Sequence, residues 1–231
     1  MPILYIGLDD TDNLQSRGTG YLARVIADSL QQRFPSLGVV RHQLFVHPDV
    51  PYTSHNSSAC LMHEMPKSCC LSLLFEEVKA IMLNNFQPGS DPGLAMAVEV
   101  PQSICKFGQD AKTKIVTQEQ ARTLAQNFGI QLEGLGGTEG GVIGAMAALG
   151  LCSAGNDGRY LNLGQIRLLQ GLQPVQAVLN AGINEVKTLA EEPVETGLVI
   201  AEKMRPARRN GKAVLYVEKS LEGHYQPLKL D

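Results

Sequence analysis

Several familiar protein classes are excluded by what this sequence lacks. Its five cysteines (Cys60, Cys69, Cys70, Cys105 and Cys152) are odd in number, and no two are separated by two residues. Neither a disulfide framework nor a zinc knuckle is therefore expected. No apolar segment approaches the ~20 residues that cross a bilayer. Met1–Gly7 also lacks the basic flank and long apolar run of a secretion signal, so the expected setting is the reducing cytoplasm, with no membrane partner. The phosphate loop Gly-x-x-x-x-Gly-Lys-Ser/Thr occurs nowhere, which removes the ordinary P-loop NTPases. A surplus of positive charge is missing too. The net charge of −3 argues against a sequence-blind grip on nucleic acid, though it leaves room for a local basic patch.

A chain of 231 residues can bury one generous core or two small ones. Ile3–Leu8 is an apolar run too short for a helix and reads as a buried strand. Leu22, Val25, Ile26, Leu30 and Phe34 fall on one face of a helix beginning near Tyr21 and ending near Pro35. Gly38–His47, Ala59–Met62, Leu94–Val100 and Arg159–Leu163 read as strands. Leu71–Phe86, Thr117–Phe128 (opened by a Thr-x-x-Gln capping box, closed by Gly129) and Val175–Asn180 read as helices. Leu198–Lys203 and Ala213–Glu218 flank Asn210-Gly211, a dipeptide that favours a hairpin. Strands and helices alternate, so the expected class is α/β or α+β: a mixed β-sheet flanked by helices, with a small ferredoxin-like or hairpin subdomain. Residues 1–165 are expected to form the nucleotide-binding unit, and 166–231 a C-terminal extension packed on it.

Chemistry concentrates in two places. Asp9-Asp10-Thr11-Asp12 follows the first strand, at the strand end where ligands collect in open α/β sheets. If strand geometry persisted, Asp10 and Asp12 would point the same way. Carboxylates so close repel unless a cation holds them, and magnesium typically takes one or two; turn formation and helix capping are the competing explanation. Ser16-Arg17-Gly18-Thr19-Gly20 then leads into a helix whose unpaired N–H groups suit an anion. Alternatively Thr19 simply caps that helix. The second place is Gly134–Gly150, with seven glycines. Its first half, including Gly136, Gly137, Gly140 and Gly141, offers further backbone donors to phosphate, and its second half reads as a buried helix of small residues. His42, His47, His55, His63 and Cys60 match no usual zinc spacing. Lys203, Arg205, Arg208, Arg209 and Lys212 cluster around the Asn210-Gly211 turn.

Taken in order, these motifs resemble the archaeal tRNA-isoleucine agmatinylcytidine synthetase family over roughly the first 165 residues. The resemblance is carried by Gly7-Leu8-Asp9-Asp10-Thr11-Asp12, Pro48-Asp49-Val50-Pro51-Tyr52 with Asn56 and Ala59, Asp91-Pro92-Gly93-Leu94, and Gly140–Gly150. That family begins with a kinase-like domain that uses ATP and magnesium, activates a cytidine carbonyl by phosphorylation and phosphorylates one of its own threonines. The resemblance implies Asp9, Asp10 and Asp12 as magnesium and ATP residues and Thr19 as the modified threonine. The sequence departs from the family at Thr53-Ser54-His55-Asn56-Ser57, which replaces a basic Lys-Thr-Arg-Gly-Asn stretch. It departs again at Thr138-Glu139-Gly140, which replaces Gly-Arg-Gly. The family's zinc ribbon has no cysteine pairs to correspond to here.

The resulting expectation is an ATP-dependent phosphotransferase or ligase-like enzyme. Catalytic residues are Asp9, Asp10, Asp12 and Thr19, with magnesium on Asp10 and Asp12. Ser16, Arg17, Gly18, Gly20, Gly136, Gly137, Gly140 and Gly141 would hold the nucleotide. The acceptor, a small molecule or RNA, and the oligomeric state stay open. Two other readings compete: a nucleotide sensor without turnover, and an RNA-binding accessory protein that uses the basic C-terminal hairpin.

Overall fold

The computed structural model describes residues 1–13, 16–50, 55–66 and 69–230. Its first six elements are β1 (Ile3–Asp9), α1 (Thr19–Leu30), β2 (Ser36–Gln43), β3 (Ser57–Glu64), α2 (Leu71–Leu83) and β4 (Gly93–Ala97). The strands lie in the order β4-β1-β3-β2 with every neighbour antiparallel. This is the ferredoxin-like βαββαβ arrangement. Anticipated as a small subdomain, it is instead the body of the N-terminal sheet.

Side-chain alternation along the strands divides the core in two. Leu4, Ile6 and Leu8 of β1 join Leu22, Ile26 and Leu30 of α1 and Leu74, Val78 and Met82 of α2 on one face. Tyr5, Val40, Cys60 and Met62 point to the opposite face. That face is covered by α3 (Gln102–Thr113), α4 (Gln118–Phe128) and α5 (Val142–Ala154). Helix α4 has the expected capping box, with Gln120 N donating to Thr117 Oγ1 at 3.2 Å and Thr117 N to Gln120 Oε1 at 2.9 Å. Helix α3 has no counterpart in the sequence reading: its mean hydropathy is low and the glycine at position 108 weakens a helical expectation. It is fixed instead by packing Ile104, Phe107 and Ala111 against α5.

Helix α5 is buried almost all round, as its run of small residues suggested. It lies directly on β1 and β4. A Cβ at Gly7 would sit 2.1 Å from the Ala145 carbonyl oxygen, and one at Gly93 2.1 Å from the Gly141 carbonyl. These neighbours are backbone atoms and have no room to yield.

The sheet then grows by β5 (Gln131–Gly134) on β4 and β6 (Arg159–Asn162) on β2. The remaining elements are β7 (Leu172–Pro174), α6 (Val175–Asn180), β8 (Glu185–Lys187), β9 (Leu198–Ile200), β10 (Ala207–Arg209), β11 (Lys212–Lys219) and β12 (Tyr225–Pro227). They bury a cluster of their own, from Ile166 through Val178 and Val199 to Val217. Hairpin β10–β11 joins this part to the main sheet through β6. The Asn210-Gly211 turn has φ of 50° and 75°, the doubly left-handed geometry this dipeptide favours. The strand before the turn is Ala207–Arg209, not Leu198–Lys203, because β9 pairs with β7 and β12.

Two of the hairpin's basic residues, Arg208 and Lys212, are not a free cationic surface. Arg208 is buried, donating from Nε to Cys152 O at 3.0 Å and from a terminal nitrogen to Tyr160 Oη at 2.7 Å. Lys212 pairs with Glu185 at 2.5 Å. His42 is likewise internal, its Nδ1 2.8 Å from Asp157 Oδ1, while Lys112 reaches Asp157 Oδ2 at 2.5 Å. Against the cost of burial, His42 and Lys112 together hold the Asp157 carboxyl below its ordinary range.

Replacing Gly7 with alanine should destabilise the fold by roughly 1–3 kcal/mol, the usual cost of overpacking, because the obstacle is backbone. Gly136→Ala should be tolerated, since its nearest contact would be Pro92 at 3.7 Å and its φ is ordinary. Thermal unfolding of both variants checks the pair; equal losses would remove the close-packing argument.

Candidate active site

Strand β1 ends at Asp9, and Asp10 takes a left-handed φ of 48°. The strand alternation that would have aligned Asp10 with Asp12 therefore stops one residue too early. Each carboxylate has a separate environment. Asp9 packs against α5, so closely that a Cβ at Gly144 would meet its Oδ2 at 1.8 Å. Asp10 Oδ2 accepts from Asp91 N at 3.3 Å. Asp12 Oδ1 accepts from Thr19 N at 3.1 Å and from Thr19 Oγ1 at 2.8 Å. Asp12 is thus the acceptor that serves the start of α1, where Gly18 occupies the cap position without a side-chain bond. Thr19 does not cap its own helix. It is buried, and its Oγ1 also accepts from Thr11 N and Thr11 Oγ1, both at 3.3 Å.

Burial raises the Asp9 carboxyl well above the ordinary carboxylate range, and the charges of Asp10 and Asp12 push it further; Asp10 is raised by burial and by Asp91 and Asp12. Among the described residues no three or more His, Cys, Asp or Glu side chains converge on a metal position. The available donors are carboxylate oxygens, two of which, those of Asp9 and Asp10, sit where burial and neighbouring acids disfavour their charge. That donor chemistry fits magnesium carried in with phosphate, and does not fit zinc.

The three acids line a cleft of about 290 Å³. Opposite in character are Leu44, Phe45, Ile115, Val116 and Ile143, which line it as well, with His55, Lys114, Gln118, Gly140 and Gly141. An adjoining hollow of about 150 Å³ is lined by Gly18, Gly20, Arg41, Ser58 and Leu161. Asp12, Thr19, His55 and Ser57 face both. The sequence reading missed the apolar wall and Lys114. They come from the end of β2, the α3–α4 connection and the start of α5, three segments with no motif in common.

The glycine-rich loop reaches the acids through Asp91. Gly141 N donates to Asp91 O at 2.9 Å, Thr138 Oγ1 donates to Asp91 Oδ2, and a Cβ at Gly137 would collide with Asp91 Oδ1 at 1.6 Å. Gly140 and Gly141 line the cleft; Gly136 and Gly137 shape the turn around Asp91 and do not. Of the residues before α1, Gly18 and Gly20 border the adjoining hollow. Ser16 exchanges bonds with Asn13 (its Oγ accepts from Asn13 N at 2.9 Å and donates to Asn13 O at 3.2 Å), and Arg17 lies over the Tyr21 ring at 4.7 Å. Glu139 is not a bare acid, since Arg122 of α4 pairs with it. Pro51, Tyr52, Thr53 and Ser54 of the sequence motifs lie outside the described residues.

The folded-state carboxyl of Asp9 is raised, so its ionisation opposes folding at neutral pH, and that opposition fades as pH falls toward about 4, the unfolded value. Without divalent cations, Asp9→Asn should therefore raise the melting temperature at neutral pH, with the gain shrinking on acidification. A loss of stability at every pH would make Asp9 a structural acceptor instead.

No family model matches the chain. Among curated proteins, the tRNA-isoleucine 2-agmatinylcytidine synthetase TiaS of Pyrococcus horikoshii is 27% identical over 157 residues, which is 64% of this chain and 35% of that protein. The chain thus matches about a third of that relative's length. Among solved structures, a complex of TiaS with its isoleucine tRNA and ATP aligns with a TM-score of 0.57 at 20% identity, over 65% of this chain and 36% of the other. A tRNA fluorescent labelling enzyme aligns with a TM-score of 0.53 at 22% identity, over 64% and 36%. A complex of TiaS with the same tRNA, AMPCPP and agmatine gives 0.53 at 20%, over 65% and 36%. Over this matched part the chain is similar in sequence to that synthetase and shares the fold of its solved complexes.

Proposed function

We propose that this chain binds ATP with magnesium in the cleft above β1 and transfers a phosphoryl group to an acceptor, within tRNA modification. The observation that carries the reading is the make-up of one cleft, in which three carboxylates and an apolar wall face the same space. A nucleotide needs both, an apolar surface for its base and a cation-bearing pole for its phosphates. The relative named for agmatinylcytidine synthesis and the neighbours solved with ATP and tRNA support the same direction.

In this reading Asp10 and Asp12 hold magnesium, which when bound would neutralise charge on the transferring phosphoryl group. Asp9, fixed against Gly144, orients the acid loop. Lys114, paired with Asp110 at 3.2 Å, lies at the cleft wall. Gly141 N is committed to Asp91, so we assign the phosphate contact of the glycine loop to Gly140. At α1 the carboxylate of Asp12 already takes the Thr19 N–H, and Gly18 and Gly20 are assigned to the phosphate side of the adjoining hollow. The Thr19 hydroxyl donating to Asp12 at 2.8 Å is the arrangement in which a carboxylate accepts the hydroxyl proton as its oxygen bonds to the γ-phosphorus of ATP and ADP leaves. Thr19 is therefore the phosphoryl acceptor within the chain.

Two observations favour a second reading, a nucleotide sensor without turnover. The Asp12 carboxyl occupies the helix start where phosphate would bind, and Glu139 stands where the resembled family carries arginine.

Mg-ATP at 100 times its dissociation constant should add about 2.7 kcal/mol of stability, a rise of roughly 5–10 °C for a chain of this size. ATP without magnesium should give little of it, and Asp10→Asn should lose the magnesium-dependent part. No nucleotide shift under any condition ends the proposal.

Incubation with ATP should place one phosphate on Thr19 only when magnesium is present, read by intact mass and peptide mapping, and Asp12→Asn should prevent it. A magnesium-dependent thermal shift with Thr19 unmodified and ATP intact would hand the case to the sensor.

A further inference from the structure

Two cysteines far apart in sequence, Cys60 of β3 and Cys152 of α5, meet where the helix crosses the sheet, and the phosphoryl-transfer site uses neither. Both are wholly buried free thiols. Strand register places the first. Gly7, Cys60, Val40 and Tyr160 form one row across β1, β3, β2 and β6, and Cys60, Val40 and Tyr160 belong to the core on the α5 side. Helix α5 places the second. Its Ala148 Cβ lies 3.4 Å from where a Cβ of Gly7 would stand, and Cys152 follows four residues later on the same helix face. That advance is about 6 Å, close to the ~4.8 Å between neighbouring strands, so it carries Cys152 from β1 to β3. A disulfide needs a close approach, with α-carbons within about 7 Å, and the backbone contact of α5 with Gly7 is what brings helix and sheet so near.

The surroundings favour a thiolate on one sulfur only. Against the cost of burial, the neighbouring Cys60, His42 and Arg208 hold the Cys152 thiol below the ordinary thiol range. Burial and the Cys152 sulfur push Cys60 well above it. His42 is oriented by Asp157 through Nδ1, at 2.8 Å, while its buried Nε2 has no hydrogen-bond partner. Against burial, Asp157 and Cys152 favour its charged form. Arg208 Nε also holds the Cys152 carbonyl, at 3.0 Å. A thiolate beside an imidazole that is itself oriented by a carboxylate is the make-up of a nucleophilic sulfur. Cys152 nevertheless lines neither the acid cleft nor the adjoining hollow, and with no exposed surface it has no access to a bulky substrate. The sulfur of Cys60 is the partner within its reach.

We propose that Cys60 and Cys152 form a redox pair, closed to a disulfide by a hydroperoxide and reopened by a dithiol that is itself oxidised. The Cys152 thiolate attacks one peroxide oxygen, the O–O bond breaks, and the leaving hydroxide takes a proton from His42 to become water. The Cys60 sulfur then attacks the sulfenic acid on Cys152. An S–S bond forms, the S–O bond breaks, and the Cys60 proton leaves with the hydroxide as a second water. The two sulfurs lose two electrons and the peroxide gains them. Hydrogen peroxide is near water in size and enters by local opening, which a larger substrate cannot do. The bond would tie β3 to the last turn of α5, the helix whose first turn abuts Asp9. Its formation does not depend on the phosphoryl-transfer reading.

The test treats the full chain, folded and without ligand, with a few equivalents of hydrogen peroxide, followed by alkylation. The intact mass should fall by two hydrogens, peptide mapping should link Cys60 to Cys152, and dithiothreitol should reverse both. The oxidised form should melt about 5–10 °C higher, because the bond closes a loop of roughly 90 residues. The double variant Cys69→Ser/Cys70→Ser, which removes the two sulfurs nearer the surface, should form the same link. Cys60→Ala should stop at one added oxygen on Cys152, trapped by dimedone. Asp157→Asn, which leaves both sulfurs in place, should slow the linkage about tenfold by releasing His42. If Cys60→Ala does not fold, the Cys69/Cys70 variant and Asp157→Asn carry the test. The inference is overturned if the folded chain forms no Cys60–Cys152 link, if Cys105 is oxidised ahead of Cys152, or if Asp157→Asn reacts at the parent rate.

Discussion

Helix α5 and strand β1 touch backbone to backbone, and most of what is distinctive about the protein depends on that contact. Ala145 O leaves no space for a side chain at Gly7, and Gly141 leaves none at Gly93. A helix with larger residues on this face would stand farther from the sheet. Because α5 is pressed down, its first turn arrives beside the end of β1. There Gly144 abuts Asp9, and Gly140 and Gly141 enter the cleft wall. The glycine loop is held in turn by Asp91, whose N–H donates to Asp10. Packing of small residues thus fixes where negative charge collects, and burial there keeps Asp9 reluctant to ionise.

Charge is sorted in space although the sequence mixes it. The acids of the loop after β1 lie toward the cleft shared with α3, α4 and α5, while arginines gather over β2 and β6 on the face of α1. Asp12 and Thr19 sit where the two meet, facing both hollows. Other charged groups are spent on holding the structure. The His42–Asp157–Lys112 set ties β2 to α3 and to the turn after α5, and Arg208 pins the β10–β11 hairpin to the end of α5. A basic residue counted from sequence can therefore be a structural rivet, as Arg208 is.

The sequence by itself determined the elements whose signals are local. The capping box of α4, the Asn210-Gly211 turn, the stripe of Leu22, Ile26 and Leu30, and the all-apolar run that became α5 are read from neighbours a few residues apart. Short-range hydrogen bonds and side-chain periodicity act over that distance. The acid loop was legible for the same reason, as a density of carboxylates next to a helix start. Tertiary structure alone decided the rest. It ended β1 at Asp9 and so took Asp10 and Asp12 out of strand alternation, made Asp12 the acceptor for α1, and gave Gly137 to Asp91 instead of to the cleft. It paired β10 with β11, buried Arg208, and drew Leu44, Ile115 and Val116 into one wall and Arg24, Arg159, Arg167 and Arg205 onto one face. These outcomes depend on strand order, register and burial, which are set by contacts between residues distant in the chain and leave no spacing in the sequence to find.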